Sequence, residues 1–217
     1  MKRDCVFLLA DTNMKASFEG FFSRPGFQHS LKCGWIDIDP VQDIKVASGD
    51  NDPGLYTRAH ELLKPYLKTH RHAVVALDAQ WDGSPGAEKI RIHIENMLTI
   101  NGWEVGRFVV IVIDPELEVW ILQRNVHVAK EIGFYGIDDM LSDTDLLRAL
   151  QEERHKPTSL KETLNAILRK KGLPITSARY KKITAHVSVS DCRDSAFLHL
   201  VEKLREWFPP DSVEGNL

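Results

Sequence analysis

Ala73-Val74-Val75-Ala76-Leu77-Asp78 sets five apolar residues in a row and closes them with an acid. Alternation, the mark of a strand with one wet face, is missing. The run therefore reads as a strand covered on both faces, as in a parallel α/β sheet. Two other runs have the same form: Cys5-Val6-Phe7-Leu8-Leu9-Ala10 ends in Asp11, and Phe108-Val109-Val110-Ile111-Val112-Ile113 ends in Asp114. Ile44–Val46 and Trp35–Asp39, separated by Pro40, are weaker strand signals.

Helix-length segments lie between these runs. Asp52-Pro53 reads as an N-cap with Pro at the first helical position, and Leu55, Ala59, Leu62, Leu63 and Tyr66 mark an apolar face. Ser84-Pro85 repeats that start, Ile90, Ile94, Met97 and Leu98 form the stripe, and Gly102 ends it. Lys15–Ser23, with Phe18, Phe21 and Phe22, is a third helix. The expected fold is α/β: a mainly parallel open sheet of about four strands, with helices on both faces, over residues 1–122.

Residues 123–217 are expected to form a helical C-terminal extension packed on that domain. Ser142 with Asp145, and Ser159 with Glu162, resemble capping boxes. The second opens a helix with Leu160, Leu164, Ile167 and Leu168 on one face, stopped by Gly172 and Pro174. Residues 194–207 form another, with Phe197, Leu200, Val201 and Leu204 inward. Ile183–Val189 alternates apolar and polar residues and reads as an edge strand; the last seven or eight residues look loose.

Composition sets the outer bounds. Of 217 residues, 43% are hydrophobic and 27% charged, which excludes a disordered or collagenous chain. Cys5, Cys33 and Cys192 are scattered and form no C-x-x-C pair, so neither a disulfide framework nor a cysteine zinc site is expected. Asp11 ends the N-terminal apolar run too early for a signal peptide, and no run is long enough to span a bilayer. A cytoplasmic protein without membrane contact is the expectation. The net charge is −3, unevenly spread. Residues 1–147 carry 15 Lys/Arg against 22 Asp/Glu, whereas residues 148–207 carry 13 against 7. The whole chain should not attract nucleic acid, but its basic C-terminal part can meet phosphates locally.

In a parallel α/β sheet, ligands bind outside the carboxyl ends of the strands. Asp11, Asp78 and Asp114 each stand at such an end, with Asp82, Glu116 and Glu118 just beyond. Converging carboxylates repel one another and call for a cation; hard Mg²⁺ or Mn²⁺ is the natural partner and would suit phosphoryl or phosphodiester chemistry. Asp is also common at helix N-caps and in loops, which gives the same pattern without a site. His70, Arg71 and His72 stand at the opposite end of their strand and read as solvated loop residues. The best nucleic-acid candidate is Arg169, Lys170 and Lys171 with Arg179, Lys181 and Lys182, where Tyr180 can stack on a base. Lys and Arg also suit a helix C-terminus for its dipole alone.

The order of these motifs resembles TOPRIM-like domains: a strand ending in Asp11, a strand ending in Asp78-x-x-x-Asp82, then a strand followed by Pro115-Glu116-Leu117-Glu118-x-Trp120. It is most similar to the bacterial subgroup found among phage-defence proteins, where Glu-x-Trp follows the last strand. Leu9-Ala10-Asp11-Thr12-Asn13-Met14, Asn51-Asp52-Pro53-Gly54-Leu55-Tyr56 and Asp114-Pro115-Glu116-Leu117-Glu118 are also similar to an uncharacterised component of methylation-associated defence systems. The resemblance implies Asp11, Asp78 and Glu118 as catalytic residues, Asp11 as acid/base or metal ligand, and Asp78, Asp82, Asp114 and Glu118 as ligands of Mg²⁺ or Mn²⁺, with Trp120 as core packing. Two departures fall on working residues. Asp11 stands where the family usually has Glu, and the Asp78/Asp82 pair has a four-residue offset in place of Asp-x-Asp. Two functions follow as expectations: a Mg²⁺-dependent nuclease or phosphotransferase acting on nucleic acid, or a non-catalytic scaffold or sensor that binds other defence proteins.

Overall fold

The computed structural model describes residues 2–47, 49, 51–151, 160–189 and 192–210. Strands β1 (Arg3–Leu9), β2 (Ile44–Val46), β3 (His70–Asp78) and β4 (Phe108–Ile113) form one sheet in the order β2-β1-β3-β4. Every pairing is parallel, with Leu9 opposite Ala76 and Ala76 opposite Ile111. Chain order runs outward from β1 to β2 on one side and to β3 and β4 on the other. The reversal leaves a crevice at the carboxyl ends of β1 and β3.

The uninterrupted apolar runs are explained by what covers them. Successive strand residues point to opposite faces. Val6, Leu8, Ala73, Val75, Leu77 and Val110 pack on Leu55, Ala59 and Leu63 of α4 (Asn51–Leu63) and on Ile90, Ile94 and Leu98 of α5 (Ala87–Ile100). Phe7, Leu9, Val74, Ala76, Val109 and Ile111 face the other way. They meet α1 (Thr12–Phe22), α2 (Phe27–Leu31) and the later helices α6 (Glu118–Ile121), α7 (Val126–Glu131), α8 (Ile137–Ser142), α10 (Leu160–Lys170), α11 (Ser177–Thr184) and α12 (Ser195–Trp207). Short α3 (Pro40–Asp43) precedes β2, and α9 (Thr144–Gln151) packs on α8 and α10. The fold is thus α/β with a parallel sheet, helices on both faces and a helical C-terminal region. Among the described residues, no helix is long and apolar enough to cross a membrane.

The helical region is built into the domain and does not hang from it. Gly20 on α1 crosses α11 so closely that a Cβ there would meet the Lys181 carbonyl oxygen and Thr184 Oγ1. At the far end, the Gly34 N–H donates to the Phe208 carbonyl at 2.8 Å, and Trp207 stacks on His72 at 4.4 Å. One apolar core therefore runs across residue 122.

Several local expectations are corrected. Residues 183–189 contain no strand: Ile183 and Thr184 end α11, and the alternation reflects one buried helix face followed by a loop. Residues 33–39 have no regular structure, and Trp35 is 78% exposed. Ser84 does not cap α5; its hydroxyl donates to the Ala79 carbonyl, and the helix starts after Gly86. Asp143 takes the capping role expected of Ser142, accepting the Leu146 N–H at 3.1 Å. Ser159 and the C-terminal tail lie outside the described residues. His70 and His72 are not solvated: His70 is 3% exposed and bonded to Asp43, and His72 lies under Trp207 and Phe208.

Candidate functional site

Parallel strands end together, so the acids that close β1 and β3 share one edge. Asp11 is the N-cap of α1, its Oδ1 accepting the Met14 N–H at 2.8 Å. Asp78 is the last residue of β3 and 5% exposed. Its own N–H donates to Asp52 Oδ1 at 2.8 Å, and its Oδ1 accepts the Leu117 N–H at 2.9 Å. That second bond holds the loop after β4, where the Asp114–Pro115 peptide is cis. Glu118, 1% exposed at the start of α6, accepts the Tyr180 hydroxyl at 2.6 Å; its other oxygen, Oε2, is buried without a hydrogen-bond partner. Glu116 Oε1 accepts the Lys161 N–H at 2.8 Å, fastening the first turn of α10 to the same edge.

Five carboxylates from four stretches of the chain thus gather at the crevice, and their charges feel one another. Burial, then Asp52 and Glu118, push Asp78 well above the usual carboxylate range. Burial also raises Asp52, against the stabilising Asp78 N–H, and raises Glu118, against the Tyr180 hydroxyl. Lys161 lowers all three. Its own burial works against its charge, yet Glu118, Asp78, Asp11 and Glu116 outweigh that and raise it above its ordinary value.

The expected residues divide accordingly. Asp11, Asp78 and Glu118 come together, with Glu116 beside them. Asp82 and Asp114 are exposed in their loops and form no described bond with the group. Trp120 is core, its Nε1–H donating to Asp194 at 2.9 Å. Asp52 and Lys161 are additions. Asp52 reads as a helix N-cap and as part of the Asn51–Tyr56 motif, though α4 begins one residue earlier, at Asn51, and nothing in the spacing of Lys161 marks it. The basic cluster is largely occupied within the chain. Arg179 donates to the Pro174 and Glu131 carbonyls, Lys181 pairs with Glu19 at 2.9 Å, and Lys170 with Asp143 at 3.3 Å. Lys171 lies over the Phe134 ring. Arg169 and Lys182 stay exposed, whereas Tyr180 is 2% exposed and cannot stack on a base.

The Mg²⁺ or Mn²⁺ that the resemblance implies can be tested against this donor set. The oxygens are of the right kind for a hard cation. Among the described residues, however, no three such side chains are arranged to hold an ion. Each of the five carboxylates accepts a bond from the protein. The arrangement does not fit a resident divalent ion. No family model, curated protein or solved structure matches the chain, so its own geometry is what bears on its function.

Proposed function

We propose that this chain is a non-catalytic, TOPRIM-like scaffold or sensor subunit of bacterial phage defence that works by binding other defence proteins. The defence context rests on the motifs around Asp11, Asp78 and Glu118. The observation that carries the non-catalytic reading is that four of the five carboxylates of the acidic edge join parts of the fold distant in the chain, and the fifth caps a helix. Asp11 caps α1, Asp52 holds the end of β3, and Asp78 holds the loop after β4. Glu116 and Glu118 hold α10 and α11. Each of these bonds serves the fold, and among the described residues no three such side chains are arranged to hold an ion.

The test is phage protection in cells carrying the complete defence system. Asp78→Asn keeps an acceptor for the Leu117 N–H and should keep protection, whereas Asp78→Ala should lower both protein level and protection. Loss of protection in a stable Asp78→Asn variant would sink the reading. A second reading, a Mg²⁺-dependent nuclease or phosphotransferase, is favoured by one feature: the buried Glu118 Oε2 without a partner. Under it, the purified chain should cleave DNA or RNA in Mg²⁺ or Mn²⁺, and Glu118→Gln should abolish cleavage. Under the scaffold reading, no cleavage appears with either ion.

A further inference from the structure

We infer that His127 and His186 form a two-histidine site for a borderline transition cation, Zn²⁺ or Cu²⁺, in the helical C-terminal region.

The two rings come from elements far apart in the chain. His127 stands in the first turn of α7, and His186 follows the end of α11. Their ring centroids are 4.7 Å apart and their planes differ by 21°. Both residues are exposed, and among the described residues neither ring makes a hydrogen bond or an ion pair. All four ring nitrogens are therefore open to a ligand. The backbone beneath them is fixed. Asn125 Oδ1 accepts the His127 N–H at 2.8 Å, and Asn125 Nδ2 donates to the His186 carbonyl at 3.3 Å, so one side chain ties both histidines. Val128 and Ala129 beside the first, and Ile183 and Val187 around the second, are buried. The fold itself brings the imidazoles together, with no ion needed to do so.

The spacing suits one shared ion. An ion about 2.0–2.1 Å from one nitrogen of each ring stands about 3.2 Å from each ring centre; between a right angle and a tetrahedral one, the centres then lie about 4.5–5.2 Å apart. The observed 4.7 Å falls inside that interval. Each exposed ring turns about its own Cβ–Cγ bond, so aiming one nitrogen of each at the ion asks for side-chain rotation alone. Neutral imidazole is a good donor to Zn²⁺ and Cu²⁺, whereas Mg²⁺ prefers oxygen. Among the described residues no group of three His, Cys, Asp or Glu side chains forms a fuller set, so water or a donor from another molecule takes the remaining positions. The inference does not depend on how the acidic edge is read, since none of its carboxylates takes part.

The experiment titrates the full chain, freed of any affinity tag, with ZnCl₂ and with MgCl₂ by calorimetry, beside His127→Ala, His186→Ala, the double variant and His199→Ala as a control. Wild type should bind one Zn²⁺ per chain and no Mg²⁺. Each single variant should weaken Zn²⁺ by at least the roughly tenfold that losing even an outer-shell partner of a ligand costs. The double variant should be no worse than the weaker single one, and His199→Ala should match wild type. All should melt with wild type in EDTA, because the changed rings are on the surface. Paramagnetic resonance of Cu²⁺ on the unmutated chain reads the site without any variant, and should show two imidazole nitrogens on one ion. Absence of saturable Zn²⁺ binding at millimolar ion would overturn the inference. So would binding that survives in the double variant, a ratio of one ion to two chains, or a Cu²⁺ spectrum with a single nitrogen.

Discussion

A buried and a half-buried titratable side chain show how the same physics runs in opposite directions. Asp78 is raised by burial and by its acidic neighbours, so folding disfavours its charged form relative to its neutral form. Asn copies that neutral form and keeps an acceptor for the Leu117 N–H. Asp78→Asn should therefore unfold in urea at pH 7.5 at the wild-type midpoint or higher. Asp78→Ala strands a buried N–H and should lose about 1–3 kcal/mol. His72 is lowered to about 4, by burial first and then by Arg107 and Arg71. Between its ordinary 6.5 and that value, the unfolded chain binds a proton that the folded chain refuses, so acid favours unfolding. Its Nδ1 has no partner, and its ring stacks on Trp207. His72→Phe keeps the stacked ring without the proton site. Its urea midpoint should fall less than that of wild type as pH drops from 6.5 to 4.

Among the elements, the crossing of α1 and α11 is the one where sequence and structure meet most narrowly. Gly20 reads in the sequence as a weak spot in a helix, since glycine costs a helix interior about 1 kcal/mol relative to alanine. Its reason is contact: the Lys181 carbonyl occupies the space where a Cβ would stand. Gly20→Ala gains helix propensity yet should destabilise the protein by about 1–3 kcal/mol, because two helices must part to admit one methyl group. A melting temperature equal to or above wild type would show that the crossing is looser than drawn. The same crossing explains why Ile183–Val189 misleads. Tyr180, Ile183, Thr184 and Val187 are all buried against α1 and its neighbours, and spacings of three and four mixed with a loop imitate alternation.

For the whole molecule, the sheet and the helical region share a core, and that predicts how the chain comes apart. Phe18 lies 6.2 Å from Trp120, which lies 5.3 Å from Phe197, ring centroid to ring centroid, so one aromatic row crosses from the first helix to the last. A fragment of residues 1–122 would leave Phe18, Phe22 and Trp120 facing water. It should give a collapsed, poorly dispersed NMR spectrum, while the full chain unfolds in one urea transition. A well-dispersed spectrum from the fragment would establish an independent domain. The sequence by itself determined the three long strands, their direction and the edge where the acids stand. Unbroken apolar runs must be covered on both faces, parallel strands share their carboxyl ends, and an acid closing a buried strand must emerge there. Asp11 and Asp78 were legible for that reason, and Glu118, beyond the strand end, from the Glu-x-Trp motif. What only the tertiary structure decided was the company they keep. Asp52 enters through a bond to a backbone N–H, Tyr180 through a helix that buries its ring, and Lys161 through the first turn of α10. Contacts between residues far apart in the chain leave no period or spacing behind, so these partners are visible only once the chain has folded around the edge.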